Sequence, residues 1–310
     1  MTPWIASASR MHLALSGVFP PLPTTFDSNG DVDTRAICVN VDRLMTTGLA
    51  GVLALGSNGE AGLLTEEEAD AVVEAVRQSV PDHKVLLVGV GRESTRGTID
   101  AAKRAAALGA TAVLVRPPSY FKTQMTADAL IAHFRAVADG SPVPVLLYNL
   151  PGPTGIVLTV PIVTALADHP NVAGLKETSP ELERLGQCVT LRNGAFPVFS
   201  GWAPVVYPAV VAGAAGGILA VANVLPNECV TLVQHARDGR HQEALVIQRR
   251  ITQLAQLVSS VHGVPGLKHA MDLFGFKGGP VRAPLQPLTD RARDEVARAL
   301  SPFGRNHAAV

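Results

Sequence analysis

One lysine of this chain stands inside an otherwise apolar run, at the end of the segment 171–177 (NVAGLKE). Lysine is scarce, with six against twenty arginines, and the five others fall in predicted loops and helices or on the first residue of a strand. Burying an unpaired ammonium is costly, so such a position favours the neutral amine, a nucleophile for carbonyl carbons. Lys176 is therefore predicted to attack a ketone, or alternatively to be structural, paired with a carboxylate or reaching water from the strand end.

Two further segments carry groups that suit this chemistry. Tyr148 closes the apolar run 143–149, where a phenol can relay protons, although a lone buried tyrosine is more often a core residue. In the turn 56–60 (GSNGE) two glycines bracket Ser57 and Asn58, and tight glycine turns expose N–H groups that suit a carboxylate. Glu60 is explained without catalysis if its carboxylate caps the N–H groups of this turn.

These residues must be positioned by the elements around them. From Gly17 onward, apolar runs alternate with Gly/Pro loops and Ala-rich helical stretches, which indicates parallel strands joined by helices. Eight strands are predicted, at 17–23, 51–56, 84–90, 112–116, 143–149, 171–177, 196–200 and 216–222. We therefore predict the α/β class and a (β/α)8 barrel, in which reacting groups lie at the C-terminal ends of the strands. Strand alternation then places Gly174 and Val172 on the face of Lys176, with Gly174 leaving room for a substrate.

The predicted organisation has three parts. Residues 1–16 form an N-terminal tail, 17–238 the catalytic barrel and 239–310 a helical extension that helps oligomer contacts. Helices are predicted at 226–238, 241–261, 265–274 and 290–301, the first of which completes the barrel. We expect a cytoplasmic protein, with a mitochondrial location as the alternative because residues 1–10 faintly resemble a transit sequence.

Composition excludes several functional classes. Acidic and basic residues balance at 26 each and no basic run occurs, so neither nucleic acid nor a membrane surface is an expected partner. No apolar run reaches the length of a membrane span. The cysteines Cys38, Cys188 and Cys229 lack metal-ligand spacing and are predicted to be reduced core residues. We expect a small, anionic molecule as partner, and neither a cofactor nor a metal.

Three motifs in order resemble one known family. The turns 56–60 (GSNGE) and 148–151 (YNLP) and the strand end 174–178 (GLKET) look like the dihydrodipicolinate synthase/N-acetylneuraminate lyase superfamily. The resemblance extends from Gly17 to about residue 301, and the segment 264–285 looks closest to 4-hydroxy-2-oxoglutarate aldolases.

The resemblance implies a role for each matching residue. Lys176 is the implied Schiff-base residue, Tyr148 the proton relay, and Tyr120 a catalytic tyrosine lent across a dimer interface. Ser57, itself counted as catalytic, and Asn58 hold the pyruvoyl carboxylate. The implied substrate site is completed by Gly56, Thr178, Gly201 and Ile218. The implied assembly is a homotetramer built from tight dimers.

The sequence departs from the synthases at two places. They carry an arginine after the Tyr-Asn-x-Pro turn, whereas the loop 152–155 reads GPTG, and they usually have threonine where Asn58 stands. Both differences favour a Schiff-base aldolase that cleaves a 4-hydroxy-2-oxo acid to pyruvate and an aldehyde such as glyoxylate. Arg116 either binds a distal carboxylate or faces solvent. The alternatives are dihydrodipicolinate synthesis, cleavage or dehydration of sugar acids, a metal-dependent aldolase, and a non-catalytic barrel that binds 2-oxo acids.

Overall fold

A computed structural model of the chain describes residues 15–304. Its strands are β1 Gly17–Phe19, β2 Gly51–Ala54, β3 Val85–Gly89, β4 Ala112–Val115, β5 Val145–Asn149, β6 Val172–Glu177, β7 Val198–Ser200 and β8 Gly216–Ile218. Its helices are α1 Thr34–Met45, α2 Glu66–Ser79, α3 Thr95–Ala107, α4 Ala127–Gly140, α5 Pro151–Thr154, α6 Val160–Ala167, α7 Leu182–Cys188, α8 Val206–Val211, α9 Pro226–Arg237, α10 His241–Gln256, α11 Gly263–Leu273 and α12 Asp290–Leu300. The predicted segment 1–10 lies outside the described residues, as does most of the predicted tail.

The eight strands form one parallel barrel. The paired strands run in the order β1-β8-β7-β6-β5-β4-β3-β2. Backbone hydrogen bonds from Ala50 N to Val18 O and from Leu53 N to Pro20 O, both 3.0 Å, join β2 back to β1. The predicted (β/α)8 fold is therefore confirmed, with strands shorter than the apolar runs because those runs continue into the loops above the barrel.

Apolar side chains fill two separate cores. The inner core lies inside the barrel and includes Phe19 and Phe199, whose rings meet edge to face with centroids 5.6 Å apart. The outer core lies between strands and helices. Successive residues of a strand point to opposite faces, so one continuous apolar run supplies both cores. Each fully buried large side chain contributes about 1.5–3 kcal/mol.

The start of α2 follows its sequence signal. Thr65 Oγ1 accepts a hydrogen bond from Glu68 N at 3.2 Å, and Glu68 Oε2 accepts one from Thr65 N at 2.9 Å, which is a capping box. Ser94 and Thr126 cap α3 and α4 with their hydroxyl groups, which accept hydrogen bonds from Gly97 N and Ala129 N. Hydroxyl caps of this kind contribute about 1 kcal/mol each, and they fix where each loop above the barrel ends.

Strand β6 contains an irregularity just before its lysine. Val145 pairs with Val172 and Leu146 pairs with Gly174, so Ala173 is an extra residue in β6. Val172 consequently joins Leu175 in the outer core, and the prediction that it shares a face with Lys176 is wrong. A Cβ atom on Gly174 would lie 2.5 Å from Pro197 O, so this glycine accommodates the neighbouring backbone rather than a substrate.

The C-terminal helices pack on the barrel and share its outer core, to which Ile251, Leu267 and Val296 contribute buried side chains. The predicted helix 241–261 is α-helical to Gln256 and continues as a π-helix over Leu257–Val261. Within residues 15–304, no helix combines the length and the apolar character needed to cross a bilayer.

Candidate active site

A cavity of about 580 Å³ opens at the C-terminal ends of the strands. Its wall brings together seven of the nine residues predicted for the site, namely Ser57, Asn58, Tyr148, Lys176, Thr178, Gly201 and Ile218. These residues come from five different loops or strand ends, which is how barrels of this kind assemble a site.

Lys176 and Tyr148 form the closed end of the cavity. They are directly paired across β5 and β6, and they are 4% and 5% exposed. Lys176 Nζ lies 4.2 Å from the centroid of the Tyr148 ring, over its face. Within residues 15–304 Lys176 has no ion pair, and the adjacent acid, Glu177, is paired with Arg184 instead. The structural alternative of a lysine neutralised by a carboxylate therefore finds no support.

A buried polar network holds the two strand ends from behind. Asn149 Nδ2 donates to Glu177 Oε1 and Oε2 at 2.9 and 2.8 Å, and Arg184 Nε donates to Glu177 Oε2 at 3.0 Å. Burial is the largest single influence on Arg184 and lowers its pKa, but the hydrogen bond to Glu177 together with the negative charges of Glu177 and Glu181 outweighs it, so the pKa is raised. Because these partners fix the residues that follow Tyr148 and Lys176, the side chains of Tyr148 and Lys176 are held at the same height in the barrel.

Gly201 is required by the packing beside the lysine. A Cβ atom there would lie 1.9 Å from Thr178 Oγ1 and 3.1 Å from Lys176 Cε. Thr178 Oγ1 is buried and has no hydrogen-bond partner within the described chain. A buried hydroxyl normally has a partner, so this one is available to a bound ligand.

The turn 56–60 forms the opposite wall. Ser57 is exposed to the cavity and Asn58 is half-buried, whereas Gly59 and Glu60 are buried. Glu60 Oε2 accepts a hydrogen bond from Arg282 N at 2.9 Å, and Glu60 Oε1 lies 2.6 Å from Lys268 Nζ. The expectation that Glu60 caps the N–H groups of its own turn is therefore wrong, because its carboxylate faces the C-terminal segment.

Gly56 and Arg116 line a second cleft of about 340 Å³, which adjoins the cavity through Ser57 and Tyr148. Gly56 is thus beside the cavity rather than in its wall. Arg116 Nη1 is 2.9 Å from Glu93 Oε1, an ion pair that is partly exposed. This arginine is absent from the cavity wall, so the predicted binding of a distal carboxylate finds no support, whereas its partly exposed side chain agrees with the alternative of an arginine that faces solvent.

Tyr120 does not enter the cavity of its own chain. It is 80% exposed and packs edge to face on Phe121, which is 66% exposed. Glu93 Oε2 accepts hydrogen bonds from Ser119 N and Tyr120 N at 2.8 and 2.9 Å, which fixes the loop. An ordered loop that exposes two aromatic rings is typical of a surface that another subunit covers.

Several wall residues were missed by the sequence reasoning. Trp202 follows Gly201, and Ser259 and Ser260 come from the π-helix of the C-terminal extension. That extension was predicted to serve oligomer contacts, yet it also lines the cavity mouth. A Ser-Ser pair at the end of a long amphipathic helix was the available signal, but a helix surface offers many such pairs.

The remaining chemistry of the described residues is sparse. In residues 15–304 no three His, Cys, Asp or Glu side chains are placed to share a metal ion. Cys188 and Cys229 are buried as predicted, whereas Cys38 is only half-buried. Burial raises the pKa of the Cys188 thiol to about 11, so it stays protonated at neutral pH.

A parallel eight-stranded barrel whose cavity lies at the C-terminal ends of its strands, lined by a buried lysine and a tyrosine, has the architecture of a barrel enzyme. The model of the Dihydrodipicolinate synthetase family matches residues 14–302. The chain therefore belongs to this family. It is accordingly a lyase, as the sequence predicted.

Three relatives illustrate the range within the family. A protein of Emericella nidulans named "Probable 4-hydroxy-2-oxoglutarate aldolase, mitochondrial" is 36% identical over 89% of this chain and 91% of the relative. A 4-hydroxy-tetrahydrodipicolinate synthase of Xanthomonas campestris pv. campestris is 35% identical over the same shares. The structure of a prophage protein of the dihydrodipicolinic acid synthase family from E. coli K12, in complex with pyruvate, superposes with a TM-score of 0.87, 30% identity, and coverage of 93% of this chain and 98% of that one.

Proposed function

We propose that the chain is a class I aldolase that cleaves a 4-hydroxy-2-oxo acid, such as 4-hydroxy-2-oxoglutarate, to pyruvate and an aldehyde such as glyoxylate. The observation that carries the proposal is the placement of Lys176, buried, without a counter-ion in the described chain, and facing a cavity beside a phenol. An amine in this position can add to the ketone of a bound substrate, and the neighbouring phenol can exchange protons with the adduct.

The reaction follows from these groups. Lys176 Nζ adds to C2 of the substrate, and loss of water gives an iminium ion. The C3–C4 bond then breaks, its electron pair moves into the iminium to form an enamine, and the C4 hydroxyl loses its proton as the aldehyde forms. Protonation at C3 and hydrolysis release pyruvate and restore the amine. Tyr148 is the proposed carrier of these protons, and neither a metal nor a cofactor takes part.

Substrate binding is assigned to two walls of the cavity. Ser57 and Asn58 hold the C1 carboxylate through their side chains and the backbone N–H groups of the turn. Gly56 shapes the start of that turn. Thr178 supplies a hydroxyl to the substrate, while Gly201 and Ile218 leave space beside the imine.

A second candidate, the condensation of pyruvate with aspartate semialdehyde, is favoured by the nearly equal identity to a synthase. Against it stands the loop 152–155, which has no arginine where the resemblance to the synthases leads one to expect it. Among residues 15–304 the cavity wall has no basic side chain besides Lys176, so the distal carboxylate of either aldehyde, aspartate semialdehyde or glyoxylate, would meet hydroxyl groups such as those of Ser259 and Ser260. The same wall suits longer sugar acids, whose distal part carries hydroxyl groups and no charge.

The proposed assembly is a homotetramer made of tight dimers. The exposed ring of Tyr120 would be covered in the dimer and would reach the neighbouring site. Size-exclusion chromatography of the Tyr120→Ala protein beside the wild type tests this, since a smaller particle with lower activity is expected. We propose a cytoplasmic location; the name of the fungal relative makes a mitochondrial one the alternative to compare by fractionation.

Borohydride trapping tests the imine. Incubation with pyruvate and borohydride should add a fixed mass to the peptide that carries Lys176. Lys176→Met should abolish the adduct, whereas Lys103→Met, which removes an exposed lysine of α3, should leave it unchanged. An adduct that persists without Lys176 would refute the assignment.

A substrate panel tests the outcome of the reaction. Pyruvate release is measured from 4-hydroxy-2-oxoglutarate and from longer 2-oxo-3-deoxy sugar acids, beside the condensation with aspartate semialdehyde. We expect the first substrate to give the highest kcat/KM. Condensation alone would reject the aldolase proposal and leave the imine intact.

A further inference from the structure

The turn 56–60 is anchored from a distant part of the chain. Glu60 Oε1 is 2.6 Å from Lys268 Nζ in α11, and Glu60 Oε2 accepts a hydrogen bond from Arg282 N at 2.9 Å. The side chains of Glu60 and Lys268 are 0% and 2% exposed. The two opposite charges are therefore in direct contact away from water, as a buried ion pair.

Lys268 is itself held in one position. Its Nζ donates to Pro280 O at 2.6 Å and lies 4.5 Å from the centroid of the Phe26 ring. A Cβ atom on Gly278 would lie 2.1 Å from Lys268 O, so the segment 277–282 is pressed against α11. The ammonium therefore has fixed neighbours on several sides and acts as a rigid anchor.

Arg282 fastens the same segment to the loop beyond the turn. Its guanidinium donates to Glu68 Oε2 and Oε1 at 2.6 and 2.7 Å and to Leu63 O at 3.0 Å. Glu68 is the acid of the α2 capping box. The C-terminal segment thus binds both Glu60, the last residue of the turn, and Glu68 in helix α2, which follows the turn.

Few hydrogen bonds within the turn 56–60 stabilise its conformation, so contacts with other parts of the chain are needed. Its internal backbone bonds run from Gly59 N to Gly56 O and from Glu60 N to Ser57 O, at 3.0 and 3.2 Å. Glu60 has a φ of 53°, a left-handed conformation that residues other than glycine adopt only when their surroundings impose it. The contacts that impose this conformation on Glu60 are those of its carboxylate with Lys268 and Arg282.

We propose that Lys268 is a positioning residue, which acts through Glu60 to fix Ser57 and Asn58 where they bind the carboxylate of the substrate. The inference rests on the proposed function in one respect, namely that these two residues hold that carboxylate. Since Lys268 lies behind the turn and does not line the cavity, its loss should weaken carboxylate binding and leave the amine of Lys176 competent.

Two ketones separate carboxylate binding from imine formation. Pyruvate carries the carboxylate, whereas methyl pyruvate presents the same ketone without the charge. In the wild type, borohydride trapping should half-saturate at a lower concentration of pyruvate than of methyl pyruvate. In Lys268→Met this preference should fall about tenfold, the value of a hydrogen bond to a charged group, with trapping of methyl pyruvate unchanged.

A second variant guards against misfolding. Removing one partner of a buried pair leaves an uncompensated charge, whereas removing both charges relieves it. The double variant Glu60→Gln/Lys268→Met should therefore unfold at a higher urea concentration than Lys268→Met and still lack the preference for pyruvate. Glu295→Gln serves as the matched control, because its pair with His262 lies in the same C-terminal region without contacting the turn.

The inference is overturned if Lys268→Met keeps the preference, if trapping of both ketones falls together, or if the double variant regains the preference along with its stability. A wild-type protein that traps neither ketone would instead remove the proposed function itself. The two failures are therefore distinguishable in one experiment.

Discussion

The two halves of the active site are built in different ways. The sheet half, which consists of Tyr148, Asn149, Lys176 and Glu177, is made by the direct pairing of two neighbouring strands. The turn half, residues 56–60, leaves β2 as a short loop whose buried end is held by Lys268 and Arg282 from the far end of the chain. The sheet thus positions the proposed reacting groups, and the C-terminal extension positions the proposed carboxylate site.

This difference separates two kinds of damage. A change in the sheet half should act on the chemical step or on the whole fold, because its polar network is buried within the barrel wall. A change behind the turn half should act on substrate binding. Three substitutions and a change of pH test this distinction, and they are given in order of decreasing expected effect.

The largest effect is expected from Arg184→Met. It leaves the carboxylate of Glu177, which is 1% exposed, without its counter-charge, and breaking such a buried pair costs about 3–5 kcal/mol. The free energy of unfolding in urea measures it. Arg240→Met is the control, since its pair with Glu243 is half-exposed and screened by solvent, so its loss should change the free energy of unfolding far less. Equal losses in the two variants would contradict a network that supports the sheet half.

Gly201→Ala should slow the chemical step. The added methyl group would overlap Thr178 Oγ1 and crowd Lys176 Cε, and a displacement of about 1 Å at a reacting group costs about 100-fold in kcat, or about 2.7 kcal/mol. Steady-state kinetics with the best substrate of the panel measures it. Gly186→Ala, in α7 with no atom near the added methyl group, should keep its kcat. A Gly201→Ala enzyme changed only in KM would break the proposed division.

Low pH should lower the free energy of unfolding through His133 on the outer helix α4, rather than through the sheet half or the turn half of the active site. Burial lowers the pKa of His133 on α4 to about 4, helped by Arg116, so this side chain is neutral in the folded protein. The unfolded chain takes up the proton near pH 6.5, and stability is therefore lost as the pH falls from 6.5 toward 4. About 2 kcal/mol should disappear between pH 7 and pH 5.

Urea unfolding at the two pH values checks this loss. His133→Gln cannot titrate, so the difference between its stabilities at pH 7 and pH 5 should be smaller than that of the wild type. Identical pH profiles for the two proteins would show that His133 is not the group responsible.

The smallest effect is expected from Thr178→Val. The change keeps the shape of the side chain and removes a hydroxyl that is buried without a partner in the described chain. If that hydroxyl binds the substrate, its loss should lower kcat/KM about tenfold, with little change in stability. A variant more stable than the wild type and fully active would show that the hydroxyl has no ligand.

Much of the fold could be predicted because parallel strands are buried on both faces and give continuous apolar runs. Lys176 was recognisable for the same reason, as a charge within such a run. The extra residue at Ala173 was not predictable, because apolar residues on both sides of it satisfy either face of β6.

The role of Lys268, unlike that of Lys176, could not be predicted from the sequence. Its position in a helix is typical of an exposed lysine, and only the folded structure brings it to Glu60. Likewise, the π-helix that carries Ser259 and Ser260 has no sequence pattern that separates it from the preceding α10. Contacts between distant parts of the chain decide both cases, and alternation or helical periodicity contains no information about them.

The pairing of Glu60 with Lys268 also sets an order of events during synthesis. Glu60 leaves the ribosome long before Lys268 and Arg282, so its carboxylate meets neither partner until the C-terminal segment follows. The contacts that anchor the turn 56–60 from that segment therefore form late in synthesis. A shortened polypeptide that contains every strand of the barrel but stops before Lys268 would lack this anchor.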